Sequence, residues 1–198
     1  TEKIGRRIVV RPTWEEYTPQ GDEIVIDLDP GAAFGTGAHA TTAMCLRWLE
    51  HIVCPQMRVY DVGCGSGILA IAASKLGAGE VIAMDYDPVA VSVAEENIRA
   101  NNVTNVAVFE SDLLSICAGT EPAELITANI IADIIIRLFD QLDRHLAPGG
   151  ILLASGIIDD RIVDVERAAT EHGYTVLDMT CEKEWAAMII RRSEEMAI

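Results

Sequence analysis

The chain has 198 residues, half of them apolar, which is enough to bury the core of one domain and gives no reason to propose two. Its 31 acidic and 15 basic residues give a formal net charge of −16, so a nucleic-acid backbone would be repelled while a basic protein would be attracted. No apolar run approaches the roughly 20 residues of a membrane span, and no basic-then-apolar signal pattern opens the chain, so we expect a cytoplasmic protein without a membrane partner.

The five cysteines are scattered without a C-x-x-C pair. This spacing argues against both a zinc site and a disulfide framework. We therefore expect reduced thiols and no bound metal. The chain begins at Thr1 rather than at a methionine, so we expect either a trimmed chain or a domain cut from a longer protein.

The first predicted elements are two short strands, at residues 6–11 and 24–28, which we expect to form an N-terminal β-hairpin. A glycine-rich segment at residues 28–42 follows and opens the first helix. This segment has no lysine, so it is not the G-x-x-x-x-G-K-[ST] loop of a nucleoside triphosphate site. It is long enough to fold over a bound ligand. We predict one domain, with an N-terminal extension at residues 1–28 and an α/β core at residues 29–198.

Strands and helices alternate from residue 57 almost to the end of the chain. The predicted strands are 57–62, 80–85, 106–110, 125–129 and 151–155, and the predicted helices are 41–52, 67–76, 88–101, 132–146 and 160–172. Such alternation predicts a parallel sheet covered by helices on both faces. The last two segments, 174–180 and 184–190, are joined by a short polar link without room for a helix. They should form an antiparallel hairpin at the edge of what is then a seven-stranded sheet.

The most informative stretch is residues 59–67, where a short apolar strand ends in Asp61 and three glycines follow at a spacing of two. A dinucleotide-binding turn is G-x-G-x-x-G, whereas here the third glycine, Gly67, comes one residue earlier. An acidic residue followed by G-x-G-x-G and an apolar helix is typical of proteins that bind S-adenosylmethionine. Gly63 and Gly65 should let the backbone approach this ligand, and exposed N–H groups can bind its carboxylate. The alternative is a glycine turn that merely joins strand to helix.

Two acidic residues at strand ends are candidates for binding the rest of the cofactor. Asp85 closes the second strand of the core 20 residues after Gly65, where its carboxylate can accept hydrogen bonds from both ribose hydroxyls. The alternative for Asp85 is a solvated strand-end acid. Asp112 follows the third strand and could accept a hydrogen bond from the adenine amino group, or it could cap the short turn at residues 113–117.

Asn129 ends the fourth strand of the core between apolar flanks and is the candidate catalytic residue. Its carbonyl can accept a hydrogen bond from a substrate amine and turn the nitrogen lone pair toward the transferable methyl, although the residue could also cap the next helix. In the glycine-rich segment, Phe34 could pack on adenosine, and Thr36 or Thr42 could donate to polar groups. His39 is expected to hold the loop rather than to act as a base.

Together these residues resemble the PrmA family of ribosomal protein L11 methyltransferases over nearly the whole chain. The most specific part is residues 29–42, which is similar to the family's D-P-G-x-A-F-G-T-G-x-H-x-T-T. Ala38 and Ala40 depart from the family pattern, which often has threonine and proline there. Further matches lie at 61–73, 85–88, 128–130, 155–157 and 184–185.

The resemblance implies a class I S-adenosylmethionine-dependent methyltransferase with a Rossmann-like fold. It implies that Thr42, Gly63, Asp85 and Asn129 are cofactor-binding positions, and that the acceptors are lysine and α-amino groups of a basic protein of the large ribosomal subunit. The family's separate N-terminal recognition domain has no counterpart in this chain, so we expect the chain to be the catalytic part. The alternatives are a methyltransferase for another protein or a small amine, and a cofactor-binding domain that is inactive without the recognition domain.

Overall fold

The computed structural model describes residues 1–29 and 39–194, which form ten β-strands and five α-helices. The strands are β1 (Glu2–Lys3), β2 (Ile8–Arg11), β3 (Ile24–Asp27), β4 (Arg58–Val62), β5 (Glu80–Asp85), β6 (Val106–Glu110), β7 (Ala123–Asn129), β8 (Leu146–Ile158), β9 (Tyr174–Glu182) and β10 (Trp185–Arg192). The helices are α1 (Ala40–Ile52), α2 (Ile68–Lys75), α3 (Pro88–Ala100), α4 (Ala132–His145) and α5 (Ile162–Glu171), with short 3₁₀ turns at Ser115–Cys117 and Asp159–Arg161.

The centre of the fold is a seven-stranded sheet with the strand order β6-β5-β4-β7-β8-β10-β9. Strands β4 to β8 pair in parallel, and β10 pairs antiparallel with both β8 and β9. The predicted parallel α/β sheet with an antiparallel edge hairpin is therefore confirmed. The eighth strand begins earlier than predicted, at Leu146, because Leu146 pairs with Ala123 before the apolar run starts.

Alternate residues of the central strands pack on opposite faces of the sheet. Tyr60 and Ile126 belong to the core beneath α4 and α5, whereas their neighbours Val59 and Leu125 belong to the core beneath α1, α2 and α3. This alternation is the two-residue period of a strand whose two faces are both buried. The same alternation places the polar side chain of Asp61 on the face of the sheet that α1, α2 and α3 cover, because Asp61 is two residues after Val59.

The three N-terminal strands form a separate small sheet whose pairing differs from the prediction. Strands β2 and β3 run parallel, with Ile8 opposite Ile24, so they are not a hairpin. The antiparallel hairpin here consists of β1 and β2. The chain returns to the start of β2 through residues 12–23, and Glu23 holds this connection by accepting hydrogen bonds from Tyr17 and from Lys3, at 2.6 and 2.7 Å.

Glu50 on α1 fixes the small sheet to the core. Its carboxylate accepts hydrogen bonds from three successive backbone N–H groups, those of Arg6, Arg7 and Ile8, at 2.7–2.8 Å. Burial works to raise the pKa of Glu50, but these three donors outweigh burial and lower it. The last turns of α1 are therefore bound to the small sheet, and the first turn of the same helix carries residues of the candidate site.

Candidate active site

A cavity of about 720 Å³ opens at the carboxyl ends of the parallel strands, where the strand order reverses between β4 and β7. Open α/β sheets bind ligands at this position, and the volume lies in the range of small-molecule sites. Its walls come from the turn after β4, the ends of β5, β6 and β7, and the first turns of α1 and α4. Residues that decide its chemistry are Thr42, Asp61, Gly63, Asp85, Asp112, Asn129, Arg137, Gly156 and Trp185.

The glycine turn after β4 makes two contacts within the protein that the sequence did not predict. Gly63 has φ +67°, and a Cβ there would lie 2.3 Å from Cγ2 of Ile130, so its missing side chain makes room for this isoleucine. The N–H of Gly65 donates to Oδ2 of Asp85 at 2.9 Å. Both glycines line the cavity, and their contacts with Ile130 and Asp85 also connect the turn to the ends of β7 and β5.

Asp85 is held by two backbone donors at the cavity wall. Its Oδ2 accepts from Gly65, and its Oδ1 accepts from the N–H of Asp87 at 3.0 Å. A carboxylate has about four acceptor positions, so two hydrogen bonds leave capacity for two further donors. The two backbone donors therefore hold the Asp85 side chain in place, while its carboxylate can still accept further hydrogen bonds.

Asp112 lies at the cavity beside a cation. Both of its carboxylate oxygens are 3.4 Å from Arg137 of α4. The alternative that its side chain caps the following turn is wrong, because that turn has Leu114 at its N-cap and no side-chain cap. The Oγ of the neighbouring Ser111 accepts from the N–H of Ile116 at 3.1 Å. The Asp112 carboxylate thus remains available at the cavity mouth, with its position set by Arg137.

Asn129 presents a buried acceptor without a partner. Its Nδ2 donates to Oγ1 of Thr42 at 3.3 Å, and this hydrogen bond assigns the orientation of the amide. Its Oδ1 is buried and has no hydrogen-bond partner among the described residues. The alternative role as a helix cap is wrong, since α4 has Ile131 at its N-cap and no side-chain cap. Asn129 and Thr42, both predicted as cofactor-binding residues, line the cavity and are in direct contact.

Asp61 is a site residue to which the sequence assigned no separate role. Its side chain is 1% exposed; Oδ1 accepts from Thr127 at 2.7 Å, while Oδ2 has no hydrogen-bond partner among the described residues. Burial raises the pKa of Asp61 from 3.8 to about 6, and the negative charge of Asp85 adds to this rise. An unpartnered buried carboxylate oxygen beside a cavity is a candidate binding group for a cation. The signal for it was the acidic residue of the glycine motif.

His39 caps the first helix, as expected for a structural residue. Its Nδ1 lies 2.8 Å from Oγ1 of Thr41 and 3.4 Å from the Thr41 N–H, and its ring meets Trp185 edge-on at 5.3 Å. Phe34 and Thr36, which were predicted to bind the cofactor, lie outside the described residues. Among the described residues there is no cluster of three His, Cys, Asp or Glu that could hold a metal ion, nor a helix long and apolar enough to cross a bilayer.

Gly156 on β8 completes the support of the segment after β7. A Cβ at Gly156 would lie 2.5 Å from the backbone oxygen of Ile130, whose N–H donates to the Ser155 carbonyl at 3.0 Å. Ile130 therefore packs with its side chain at Gly63 and its backbone at Gly156. These contacts fix the residue that directly follows Asn129.

Comparison with known proteins identifies the family. A family model described as "Ribosomal protein L11 methyltransferase (PrmA)" matches residues 2–193. Proteins named ribosomal protein L11 methyltransferase from Caldanaerobacter subterraneus subsp. tengcongensis and Heliobacterium modesticaldum are 55% and 53% identical over 96% and 97% of this chain. The chain spans about 60% of the length of each of these relatives.

Solved structures agree with this relationship. The crystal structure of a ribosomal protein L11 methylase from Lactobacillus delbrueckii subsp. bulgaricus superposes with a TM-score of 0.89 at 36% identity, covering 97% of this chain and 98% of that one. A precorrin-6y C5,15-methyltransferase from Geobacter metallireducens, with a TM-score of 0.66 at 17% identity over 77% of this chain and 87% of that one, shares the fold alone. The chain belongs to the ribosomal protein L11 methyltransferase (PrmA) family.

Proposed function

We propose that this chain is the catalytic part of an S-adenosylmethionine-dependent methyltransferase that modifies amino groups of ribosomal protein L11. The family relationship supports the substrate, and a ribosomal substrate makes the cytoplasm the expected location. The single observation that carries the chemistry is the buried, unpartnered Oδ1 of Asn129 at the cavity wall. A buried acceptor without a donor costs free energy, so its retention beside a cavity favours a donor that arrives with a ligand.

The polar groups of the cavity fit the parts of S-adenosylmethionine. Oδ2 of Asp61 is an unpartnered acceptor suited to the α-ammonium group. Asp85, held by two backbone N–H groups, has free acceptor positions for the two ribose hydroxyls. Asp112 at the mouth can accept from the adenine amino group. When bound, the cofactor supplies an electrophilic methyl group on a sulfonium centre.

Asn129 orients the acceptor amine in this proposal. Its Nδ2 is held by Thr42, which leaves Oδ1 as the unpartnered amide atom of a residue that lines the cavity. In this proposal Oδ1 accepts one N–H of a neutral amine, which directs the nitrogen lone pair. Fixing two reactants in line can supply about 7–11 kcal/mol of the barrier reduction. Positioning of this kind needs no nucleophile from the protein.

The acceptor must reach the site as a neutral amine. Deprotonating a lysine with a pKa of about 10.4 at neutral pH costs about 4–5 kcal/mol, whereas an α-amine with a pKa of about 8 costs about 1 kcal/mol. Ile130, Ile131 and Trp185 add apolar side chains to the cavity lining, and in this proposal an apolar lining disfavours the ammonium form. Solvent then takes the proton, and Asn129 binds the neutral amine that remains.

The test is Asn129→Ala, assayed by transfer of labelled methyl groups from S-adenosylmethionine to purified ribosomal protein L11. Because orientation matters most in the transition state, we expect kcat to fall by about 100-fold while the Kd for S-adenosylhomocysteine changes far less. The matched control is Asn105→Ala, since this amide bonds Ser74 and two carbonyls away from the cavity. It should lower stability and leave kcat unchanged.

Two results would contradict the proposal in different ways. If the wild-type chain transfers no methyl group to ribosomal protein L11 but methylates another protein or a small amine, the substrate is wrong. If it transfers methyl groups and Asn129→Ala keeps wild-type kcat at each successive methylation, the role of Asn129 is wrong.

A further inference from the structure

Two large apolar side chains stand exposed beside the Asn129 end of the cavity. Ile131, two residues after Asn129, is 64% exposed and lines the cavity. Ile158 at the end of β8 is 38% exposed and pairs in register with Trp185, which also lines the cavity. Exposed apolar side chains grouped at the mouth of a site mark a surface that another molecule covers.

Exposed carboxylates lie close in the chain to these two isoleucines. Asp159 and Asp160 follow Ile158 directly and are exposed, and the N–H of Asp159 donates to the carbonyl of Glu184 at 2.9 Å, which brings the exposed Glu184 to the same place. Asp133, two residues after Ile131, is 67% exposed at its side chain. Among the described residues, Asp159, Asp160 and Glu184 make no ion pair.

The cations nearby do not neutralise this surface. Arg161 is shared between Asp133 and Asp164, at 2.6 and 2.7 Å, so its charge is already matched by two carboxylates. Lys183, in the turn beside Glu184, adds one positive charge, which is fewer than the exposed carboxylates of this surface. The surface formed by Ile131, Ile158, Asp133, Asp159, Asp160 and Glu184, the acceptor rim, therefore remains negative.

We propose that the acceptor rim docks a basic segment of the protein substrate and delivers its amine to Asn129, an inference that rests on the proposed function. The charge sign selects the occupant, because lysine and arginine side chains flanking the acceptor amine would meet three carboxylates that make no ion pair among the described residues, together with two exposed apolar side chains. Charge complementarity of this kind steers association and fixes the register of the bound segment. The same rim repels phosphate groups, so the surface favours a polypeptide over a nucleic acid.

The rim is prepared for docking by contacts within the fold. The Asp133–Arg161 ion pair joins the first turn of α4 to the 3₁₀ turn after β8. The Asp159–Glu184 backbone hydrogen bond joins that turn to the β9–β10 hairpin. Three separate segments are thus held together at the cavity mouth before any substrate arrives, which lowers the conformational entropy lost on binding.

The experiment compares two double charge reversals in the methyl-transfer assay. Asp159→Lys with Asp160→Lys reverses the rim, and neither residue lines the cavity. Glu95→Lys with Glu96→Lys makes the same change in net charge on the exposed face of α3, which packs at the opposite half of the sheet. Initial rates are measured against ribosomal protein L11 concentration at saturating S-adenosylmethionine, at low and at high salt.

We expect the rim variant to raise the KM for ribosomal protein L11 by about 10-fold or more at low salt and by much less at high salt, because added salt screens exposed charges. Its kcat at saturating substrate and its Kd for S-adenosylhomocysteine should match the wild type. The α3 variant should stay within about 2-fold of the wild-type KM. Ile158→Ser should raise the KM at both salt concentrations, since an apolar contact is not screened.

The outcomes separate the rim from the function on which it rests. If the wild type binds S-adenosylhomocysteine but transfers no methyl group to ribosomal protein L11, even with the family's recognition domain added, the proposed function fails and the rim fails with it. If the wild type transfers methyl groups and the two double variants share one KM, the rim alone is overturned. A rise in KM that is equal at low and high salt would also overturn it, because the docking would then not be electrostatic.

Discussion

Replacing Asp61 by asparagine should stabilise the ligand-free protein at neutral pH while weakening its cofactor site. The Asp61 carboxylate is buried, and the rise of its pKa from 3.8 to about 6 means that its charge costs the folded state about 3 kcal/mol at neutral pH. Asparagine removes this charge and keeps an acceptor for Thr127. Its NH₂ group takes the place of the unpartnered oxygen and costs about 1–3 kcal/mol. We expect a net gain of about 1 kcal/mol, within the spread of these two magnitudes.

The dependence on pH tests this reasoning more sharply than the net gain does. For a carboxyl whose folded pKa is raised, the penalty is fully present above the folded pKa and is relieved as pH falls through about 6 toward 3.8. The advantage of Asp61→Asn over the wild type should therefore shrink by about 1.5 kcal/mol between pH 7.5 and pH 5. The matched control is Asp87→Asn, because Asp87 is an exposed helix cap and asparagine caps equally well.

Urea unfolding followed by circular dichroism at the two pH values measures these differences. Repeating it with S-adenosylhomocysteine measures the cofactor site, since a ligand stabilises a protein according to its affinity. Losing one charge-assisted hydrogen bond should weaken affinity by about 1.5–3 kcal/mol, so the variant should gain less from the ligand than the wild type does. The reasoning is refuted if Asp61→Asn is less stable than the wild type by the same amount at both pH values.

Three further substitutions test other parts of the structure. Asp85→Ala should weaken S-adenosylhomocysteine binding by up to about 1.5–3 kcal/mol per lost ribose hydrogen bond, and an unchanged Kd in calorimetry would remove Asp85 from the cofactor site. Gly156→Ala would place a Cβ 2.5 Å from the backbone that follows β7, whereas Gly149→Ala at a similar φ meets nothing within 4 Å. The first should therefore unfold at least about 1 kcal/mol more easily than the second, and equal stabilities would contradict the close contact. The α5 backbone carbonyl and Asp140 raise the pKa of His172, so the stability this residue contributes is present below its ordinary pKa of 6.5 and lost as pH rises through the raised value. Melting temperatures of wild type and His172→Gln should therefore converge from acidic to alkaline pH, and a constant difference would contradict this.

The parallel core could be predicted from sequence because its signals are local. Each central strand is an apolar run followed by a helix of regular spacing, and the end of β5 at Asp85 was placed correctly for this reason. The parallel pairing of β2 with β3 could not be predicted from sequence, since it depends on side chains that are far away in the chain. Glu23 and Glu50 hold that part of the chain through hydrogen bonds to residues up to 44 positions away, and no local pattern encodes such contacts.

For the candidate site too, some features could be predicted from the sequence and others could not. The sequence predicted that Gly63 and Asn129 bind the cofactor, and both residues line the cavity. The spacing of the glycines did not show that Gly63 admits Ile130, because that contact joins two turns far apart in sequence. Nor could composition show that the second oxygen of Asp61 lacks a donor, since burial and hydrogen-bond pairing emerge only from tertiary packing.

The position of Ile130 has a consequence for how substrate preference can change. One residue lies against Gly63 of the turn after β4 and Gly156 of β8, so a larger side chain at either glycine would displace the residue next to Asn129 as well. If this site transfers methyl groups as proposed, selection or design for a new acceptor therefore has little freedom at these two glycines. Under the proposed docking at the acceptor rim, exposed residues such as Asp160 are the positions where acceptor preference can change while the residues around Asn129 stay the same.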